Sequence, residues 1–399
     1  MARDTSAAIP GSTPIGVLGA GAMGAGIAQV AARAGHPVVV CDARGEAVKQ
    51  AAAAFAKVLA RDVDKQRLDA KQAAAVGQRI TWVEGVHYAA FAECGLVVEA
   101  IVEDLAAKQA AFGAIEEQVA EDCVFATNTS SLSVTSIASA CERPERVVGM
   151  HFFNPAPLMP LVEIVPGLAT APTIAFAARE LADAWGKTTV VARDTPGFIV
   201  NRVARPFYGE ALRILEEGMA DVATIDWAMR TLGGFRMGPF ELMDLIGHDV
   251  NYAVTRTVWE SLYYDPRYRP AIAQKRLVEA GFLGRKAGRG FYDHREGADK
   301  PAPSEDEALG RDIVDRILAM LINEAADAVL LNVASAADVE LAMTTGVNYP
   351  KGLLAWGDEI GVGTVLARLQ ALQQEYGEDR YRPSPLLRRV AAAGGTLLG

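Results

Sequence analysis

The chain has 399 residues, more than one typical core accommodates, and ordinary domain sizes point to two or three folding units. Hydrophobic residues make up 51% and charged residues 22%, which excludes a disordered, collagen-like or coiled-coil protein. A formal net charge of -10 excludes nucleic acid as a partner, because phosphate binding needs a basic footprint.

The opening stretch MARDTSAAIPGSTP has no apolar core of signal-peptide length. No later stretch offers the roughly 18 uncharged apolar residues of a membrane helix. The expectation is a cytoplasmic protein that does not enter a membrane. Apolar runs at Ile15 to Leu18, Val38 to Cys41, Ile80 to Val83, Leu96 to Ala100, Val124 to Thr127 and Val147 to Phe152 alternate with helical stretches. That alternation predicts a doubly wound α/β domain, Rossmann-like, over residues 12–195. Lys57, Arg61 and Lys65 recur every four residues on one helix and so share a face, either a solvated face or a local patch for an anionic substrate.

After Thr195-Pro196-Gly197 the texture changes to long helical patterns, predicting an all-α region. A charged and proline-rich stretch at 294–308 reads as a linker between a first helical unit, 196–293, and a second, 309–399. The two helical units are copies at a fixed offset of 114 positions. Arg202 aligns with Arg316, Glu210 with Glu324, Asp226 with Glu340, Met229 with Met343, Asp244 with Asp358 and Gly247 with Gly361. Chance matching does not keep so long a register.

Gly19-Ala20-Gly21-Ala22-Met23-Gly24 follows the first predicted strand directly and opens a helix, and the next strand ends in Asp42, 18 residues beyond Gly24. This context makes the glycine pattern a dinucleotide site: Gly19 for the turn, Gly21 for approach of the pyrophosphate, Gly24 for helix packing, with the helix N-terminus facing the negative charge. A carboxylate at Asp42 accepts from ribose hydroxyls and repels a 2′-phosphate, so the expected cofactor is NAD.

Thr127-Asn128-Thr129-Ser130-Ser131 emerges at a strand's carboxyl end, where open α/β sheets place ligands. His151 and Glu163 each stand alone in an apolar strand. Burying an isolated charge is costly, so the simplest partner for each is the other. A carboxylate on one imidazole nitrogen fixes the tautomer and leaves the second nitrogen as a base, which alcohol oxidation needs. Periodicity alone does not choose between this and a structural pair. His36, His87, His248 and His294 form no ligand spacing, and Cys41, Cys94, Cys123 and Cys141 form no CxxC, so no metal is predicted.

The glycine motif, NTSS, GMHFFNPAPLMPLVEIV, DTPGFIVNR and GRKAGRGFYD, in order across residues 15 to 293, resemble the L-3-hydroxyacyl-CoA dehydrogenase family, including its 3-hydroxybutyryl-CoA and 3-hydroxyadipyl-CoA types. The resemblance implies NAD-dependent oxidation of an (S)-3-hydroxyacyl-CoA to the 3-oxoacyl-CoA, in fatty-acid β-oxidation or phenylacetate catabolism. It implies that His151 is the catalytic base, that Glu163 orients it, and that Ser130 and Asn201 hold the substrate oxygen and the nicotinamide end. It also implies cofactor contacts at Ala22, Met23, Glu103, Lys108 and Asn128, and places Lys57 and Arg61 near the CoA region. Arg202, Arg205 and Arg236 are candidates to face a distal carboxylate on the acyl group. The second helical copy has Asp315 where the first has Asn201, so it reads as structural, packed on the first as an intrachain pseudo-dimer within a possible homo-oligomer.

A lysine-dependent 3-hydroxyacid dehydrogenase shares the scaffold but lacks HFFNP with its following glutamate. A non-catalytic NAD-binding or crystallin-like structural protein has no need of Ser130, His151, Glu163 and Asn201 together.

Overall fold

The computed structural model describes residues 9–299 and 301–399. These form two compact units, one ending at Thr195 and the other beginning at Pro196.

The first unit is built on an eight-stranded sheet. Its strands are β1 (Ile15–Leu18), β2 (Val38–Asp42), β3 (Ile80–Glu84), β4 (Leu96–Glu99), β5 (Val124–Thr127), β6 (Val147–Phe152), β7 (Leu161–Pro166) and β8 (Thr188–Val191). The order is β3-β2-β1-β4-β5-β6-β7-β8. Strands β1 to β6 run parallel, β7 is antiparallel to β6, and β8 is parallel to β7. The first six follow the doubly wound order, whose reversal between β1 and β4 makes a ligand crevice at the carboxyl ends. The central strands are continuous apolar runs because both faces are covered. The six strands expected from sequence are found within a residue of their expected ends. The sequence reading names no strand at β8, a four-residue run that begins with two threonines.

Helices α1 (Ala22–Arg33), α2 (Gly45–Asp64), α3 (Ala70–Gln78), α4 (Leu105–Glu116), α5 (Val134–Ala138) and α6 (Pro172–Ala184) accompany the sheet. On α2 the buried positions Val48, Ala51, Phe55, Leu59 and Asp62 recur at three- and four-residue spacing, so the opposite face is left to solvent. Lys57 and Arg61 are exposed, and Lys65 lies just past the helix end.

The second unit is helical: α7 (Val200–Val203), α8 (Arg205–Glu216), α9 (Val222–Trp227), α10 (Pro239–Ile246), α11 (His248–Ser261), α12 (Ile272–Glu279), α13 (Glu307–Leu330), α14 (Ala336–Gly346), α15 (Leu353–Ile360), α16 (Val362–Tyr376) and α17 (Pro385–Ala393). The 114-residue offset maps α10 onto α15 and the starts of α9 and α11 onto those of α14 and α16. The pair α7 and α8 corresponds to the single helix α13. Pro206 in the first turn of α8 has Met320 as its counterpart, and a proline there cannot continue a hydrogen-bonded helix. The offset is not constant to the end. Pro266–Tyr268 matches Asp379–Tyr381 at 113, after one residue is lost beyond α11, so Arg267-Tyr268-Arg269-Pro270 aligns with Arg380-Tyr381-Arg382-Pro383.

Reciprocal ion pairs join the copies. Arg202 Nε donates to Glu324 Oε1 at 2.8 Å, and its counterpart Arg316 Nε donates to Glu210 Oε2 at 3.1 Å. The Tyr268 hydroxyl donates to Glu324 and the Tyr381 hydroxyl to Glu210. This is the self-complementary pattern of an isologous contact, residue i meeting j and j meeting i. Arg202 is therefore committed to Glu324 and buried, which removes it as a candidate for a substrate carboxylate.

Breaking a buried pair leaves an uncompensated charge. Glu324→Gln strands Arg202 and is expected to lower the unfolding free energy by about 3–5 kcal/mol in urea titrations. Lys351→Ala, which removes the exposed pair to Glu359, is expected to change it by less than about 1 kcal/mol.

Candidate active site

The turn after β1 is shaped by its glycines. Gly19 has φ +107°, and a Cβ there would meet the Ala100 carbonyl oxygen at 2.5 Å. A Cβ on Gly24 would lie 1.9 Å from the Gly19 carbonyl oxygen, whereas one on Gly21 meets nothing within 4 Å. Gly21 is the N-cap of α1 and supplies no side chain to its first N–H groups, so the donors of the first turn, which holds Ala22 and Met23, are left without a side-chain cap. Asp42 at the end of β2 is buried and accepts from Ala20 N and Arg44 N, each at 2.8 Å. Each carboxylate oxygen keeps a second lone pair. An open anion-binding N-terminus beside a carboxylate fits the pyrophosphate and ribose of a dinucleotide.

Next to it, β4 ends in Glu99, which is fully buried and anchors a network. Lys108 Nζ on α4 donates to Glu99 Oε1 at 2.6 Å, and Thr127 Oγ1 donates to Glu99 Oε2 at 2.7 Å. Lys108 also lies 3.3 Å from Glu103 Oε2. The other Glu103 oxygen collects Thr129 Oγ1 at 2.7 Å, Ser130 N at 2.9 Å and Ser131 N at 3.1 Å. Burial alone would raise the Glu103 carboxyl, but Lys108 and these donors outweigh it and hold it below the ordinary carboxylate range. That contribution to stability is present at neutral pH and is lost as pH falls below about 4. Asp194 closes the loop's far end, accepting from Ser133 Oγ, Val134 N and Thr135 N at 2.8–3.0 Å.

Antiparallel register sets His151 of β6 opposite Glu163 of β7. His151 Nδ1 lies 2.6 Å from Glu163 Oε2, with Glu163 fully buried and His151 5% exposed. Asn128 Oδ1 accepts from Phe152 N at 2.9 Å and so ties the polar loop to the strand that carries the histidine. The first unit thus gathers Gly19, Gly21, Gly24, Asp42, Glu103, Asn128, Ser130, His151 and Glu163 around the carboxyl ends of β1, β2, β4, β5 and β6. Asn201 lies in the second unit, half-buried on α7. Lys57 and Arg61 stand on the exposed face of α2, without an ion pair among the described residues.

The remaining titratable groups have other duties. His248 Nε2 and His294 Nε2 each lie 2.7 Å from Asp244, which also accepts from Phe291 N and Tyr292 N. His36 Nδ1 meets the Thr13 carbonyl at 2.9 Å. All four cysteines are free and buried, and burial pushes the thiols of Cys94, Cys123 and Cys141 up to about 12, far from nucleophilic thiolates. Among the described residues no three His, Cys, Asp or Glu side chains cluster to hold a metal ion, and no helix is long and apolar enough to cross a membrane.

Residues 14–195 match the model of the 3-hydroxyacyl-CoA dehydrogenase NAD-binding domain. The model of that family's C-terminal domain matches twice, over 197–294 and 313–396. The chain belongs to the 3-hydroxyacyl-CoA dehydrogenase family. It is an oxidoreductase, and NAD is its cofactor. A 3-hydroxyadipyl-CoA dehydrogenase from Escherichia coli K12 is 38% identical to it over 94% of this chain and 97% of that protein. A probable 3-hydroxybutyryl-CoA dehydrogenase from Bacillus subtilis is 41% identical, covering 70% of this chain and 96% of its own length. A crystal structure of 3-hydroxybutyryl-CoA dehydrogenase from Escherichia coli K12 superposes with a TM-score of 0.89 at 37% identity, covering 96% of this chain and 98% of that one.

Sequence reasoning missed Glu99 and Asp194. Glu99 had a visible signal, a lone carboxylate ending the apolar run LVVE. Asp194 opens DTPGF, but its partners lie 59 to 61 positions away and no local pattern marks them.

The glycine geometry separates folding from binding. Gly24→Ala forces its Cβ into a backbone carbonyl and is expected to destabilise by at least about 2 kcal/mol in thermal unfolding. Gly21→Ala costs about 1 kcal/mol as a poorer N-cap. It should nevertheless weaken NADH by tenfold or more, about 1.4 kcal/mol, in a fluorescence titration.

Proposed function

We propose that this enzyme oxidises (S)-3-hydroxyacyl-CoA to 3-oxoacyl-CoA with His151 as the general base and Glu163 as the residue that orients it. The observation that carries this reading is the 2.6 Å contact between His151 Nδ1 and Glu163 Oε2 in a strand pair at the ligand end of the sheet. Bound NAD supplies the hydride acceptor, so the substrate's carbon can give up a hydride as its hydroxyl gives up a proton. Glu163 keeps a proton on Nδ1, which leaves the Nε2 lone pair to take the hydroxyl proton and stabilises the imidazolium that results. Ser130, held by Glu103, and Asn201, by family resemblance, position the oxygen that becomes the carbonyl. Glu103, supported by Lys108, and Asn128 shape the nicotinamide end, and Lys57 and Arg61 offer cationic charge to the CoA moiety.

The Bacillus subtilis relative spends 96% of its length on 70% of this chain, which leaves no room in it for a second helical copy. The reciprocal Arg202–Glu324 and Arg316–Glu210 pairs support the second copy as an intrachain stand-in for a partner subunit's helical domain. Four free, buried thiols suit the reducing cytoplasm. The names of the relatives leave two acyl classes in view, hydroxybutyryl with a methyl end and hydroxyadipyl with a carboxylate end.

Oxidation of NADH by the purified protein with acetoacetyl-CoA, followed at neutral pH, tests the reaction. His151→Ala is expected to lower kcat by about 10²–10⁴-fold while NADH still binds, and Glu163→Gln to lower kcat with little change in KM. Undiminished turnover by His151→Ala would remove the histidine from the mechanism.

A further inference from the structure

Seven arginines are buried among the described residues, and six of them meet a carboxylate: Arg146, Arg202, Arg213, Arg267, Arg316 and Arg380. Arg205 does not. It is 6% exposed, its Nη1 donates to Thr255 Oγ1 at 3.2 Å, its guanidinium lies 4.9 Å from the centre of the Tyr208 ring, and its Nε has no partner. The hydroxyl of Tyr349, whose ring lies 5.7 Å from that of Phe207 two residues along α8, is also without a partner. A buried cation without a counter-ion is costly, and leaving its N–H groups unbonded adds to the cost.

The duplicated helical unit shows that the fold does not need this cluster. At the equivalent positions of the other copy, Arg205 becomes Ala319, Tyr208 becomes Ile322, Thr255 becomes Leu369 and Tyr349 becomes Phe235. All four are buried and apolar. The Arg202 and Glu210 positions, by contrast, keep arginine and glutamate in both copies. Around Arg205 the two copies together leave a guanidinium, a phenol and two hydroxyl-bearing neighbours, with Tyr349 coming from the second copy, while the equivalent positions solve the same packing problem with hydrocarbon.

Arg205 stands four residues from Asn201, and the intervening Ala204 stays helical with φ -79° and ψ -10°. Residues so spaced share a face, about 5–6 Å apart at Cβ. We infer that Arg205, with the Tyr349 hydroxyl, binds a carboxylate at the far end of the acyl chain, making a short dicarboxylic 3-hydroxyacyl-CoA the preferred substrate. This rests on the reaction proposed above and on Asn201 facing the reacting oxygen. A guanidinium cannot lose its proton and presents a planar fork that matches a carboxylate, so the incoming acid supplies the missing counter-ion. Of the other arginines considered from sequence, Arg202 is already paired and Arg236 is exposed.

The test uses the full-length enzyme, NADH and three substrates: 3-oxoadipyl-CoA, its methyl ester at the distal carboxyl, and acetoacetyl-CoA. The wild type is expected to prefer the free acid over its ester by about 100-fold in kcat/KM. In Arg205→Met that ratio should collapse toward one, chiefly through KM for the acid. The acid-to-ester ratio of the wild type needs no variant, so it stands even if Arg205→Met folds poorly. Equal use of acid and ester by the wild type, or a ratio that Arg205→Met leaves unchanged, would overturn the assignment while turnover of acetoacetyl-CoA upholds the reaction. Failure of all three substrates would overturn both.

Discussion

Antiparallel pairing brings residues of two strands directly opposite one another, and in β6 and β7 one opposed pair is His151 and Glu163. The side-chain period of a strand is two, so a slip of one residue would turn Glu163 to the other face and leave both groups buried alone. The register is held on both flanks. Strand β5 pairs with β6 from Phe125 to Thr127, and β8 pairs with β7 from Leu161 to Ile164, setting Val190 beside Glu163. Apolar packing of the sheet thus fixes the geometry of a polar pair at its carboxyl edge.

The same economy governs the polar loops. Glu99 is buried at the end of a strand because Lys108, Thr127 and the Ile101 N–H satisfy it. Through Lys108 its charge is shared with Glu103, whose second oxygen gathers the backbone and hydroxyls of Thr129, Ser130 and Ser131. A loop rich in small polar residues would otherwise sample many conformations. Here a buried ion pair on the sheet holds it, with Asp194 gripping the far end.

Much of this was legible in the sequence, and the parts that were not share a cause. Fully buried parallel strands announce themselves as unbroken apolar runs, as VVVC and VVGMHF do, and a glycine turn between strand and helix carries its own signature. Lone titratable residues in such runs, His151 and Glu163, were legible as a problem that pairing would solve. Long-range pairing was not. Arg202 and Glu324 are 122 positions apart, and nothing near Arg202 distinguishes an arginine awaiting a protein carboxylate from one awaiting a substrate's. The RYRP repeat escaped because one deleted residue moved it out of a register that had held from Arg202 to Gly361.

The duplicated helical unit supplies an internal comparison that a single-copy chain lacks. Two sequences here solve one packing problem, so what they share reports on the fold. Arg202 with Arg316 and Glu210 with Glu324 are shared, and they meet across the copies. So is helix capping by a carboxylate from the preceding helix: Asp226 accepts from Phe240 N and Glu241 N, and Glu340 accepts from Leu354 N and Ala355 N. What only one copy holds is free of that duty. Asn201 faces Asp315 in the alignment, and Asp315 is exposed. Arg205 faces an alanine. A polar residue that the fold can replace with hydrocarbon, and that remains buried at a cost, is explained by what it binds rather than by what it supports.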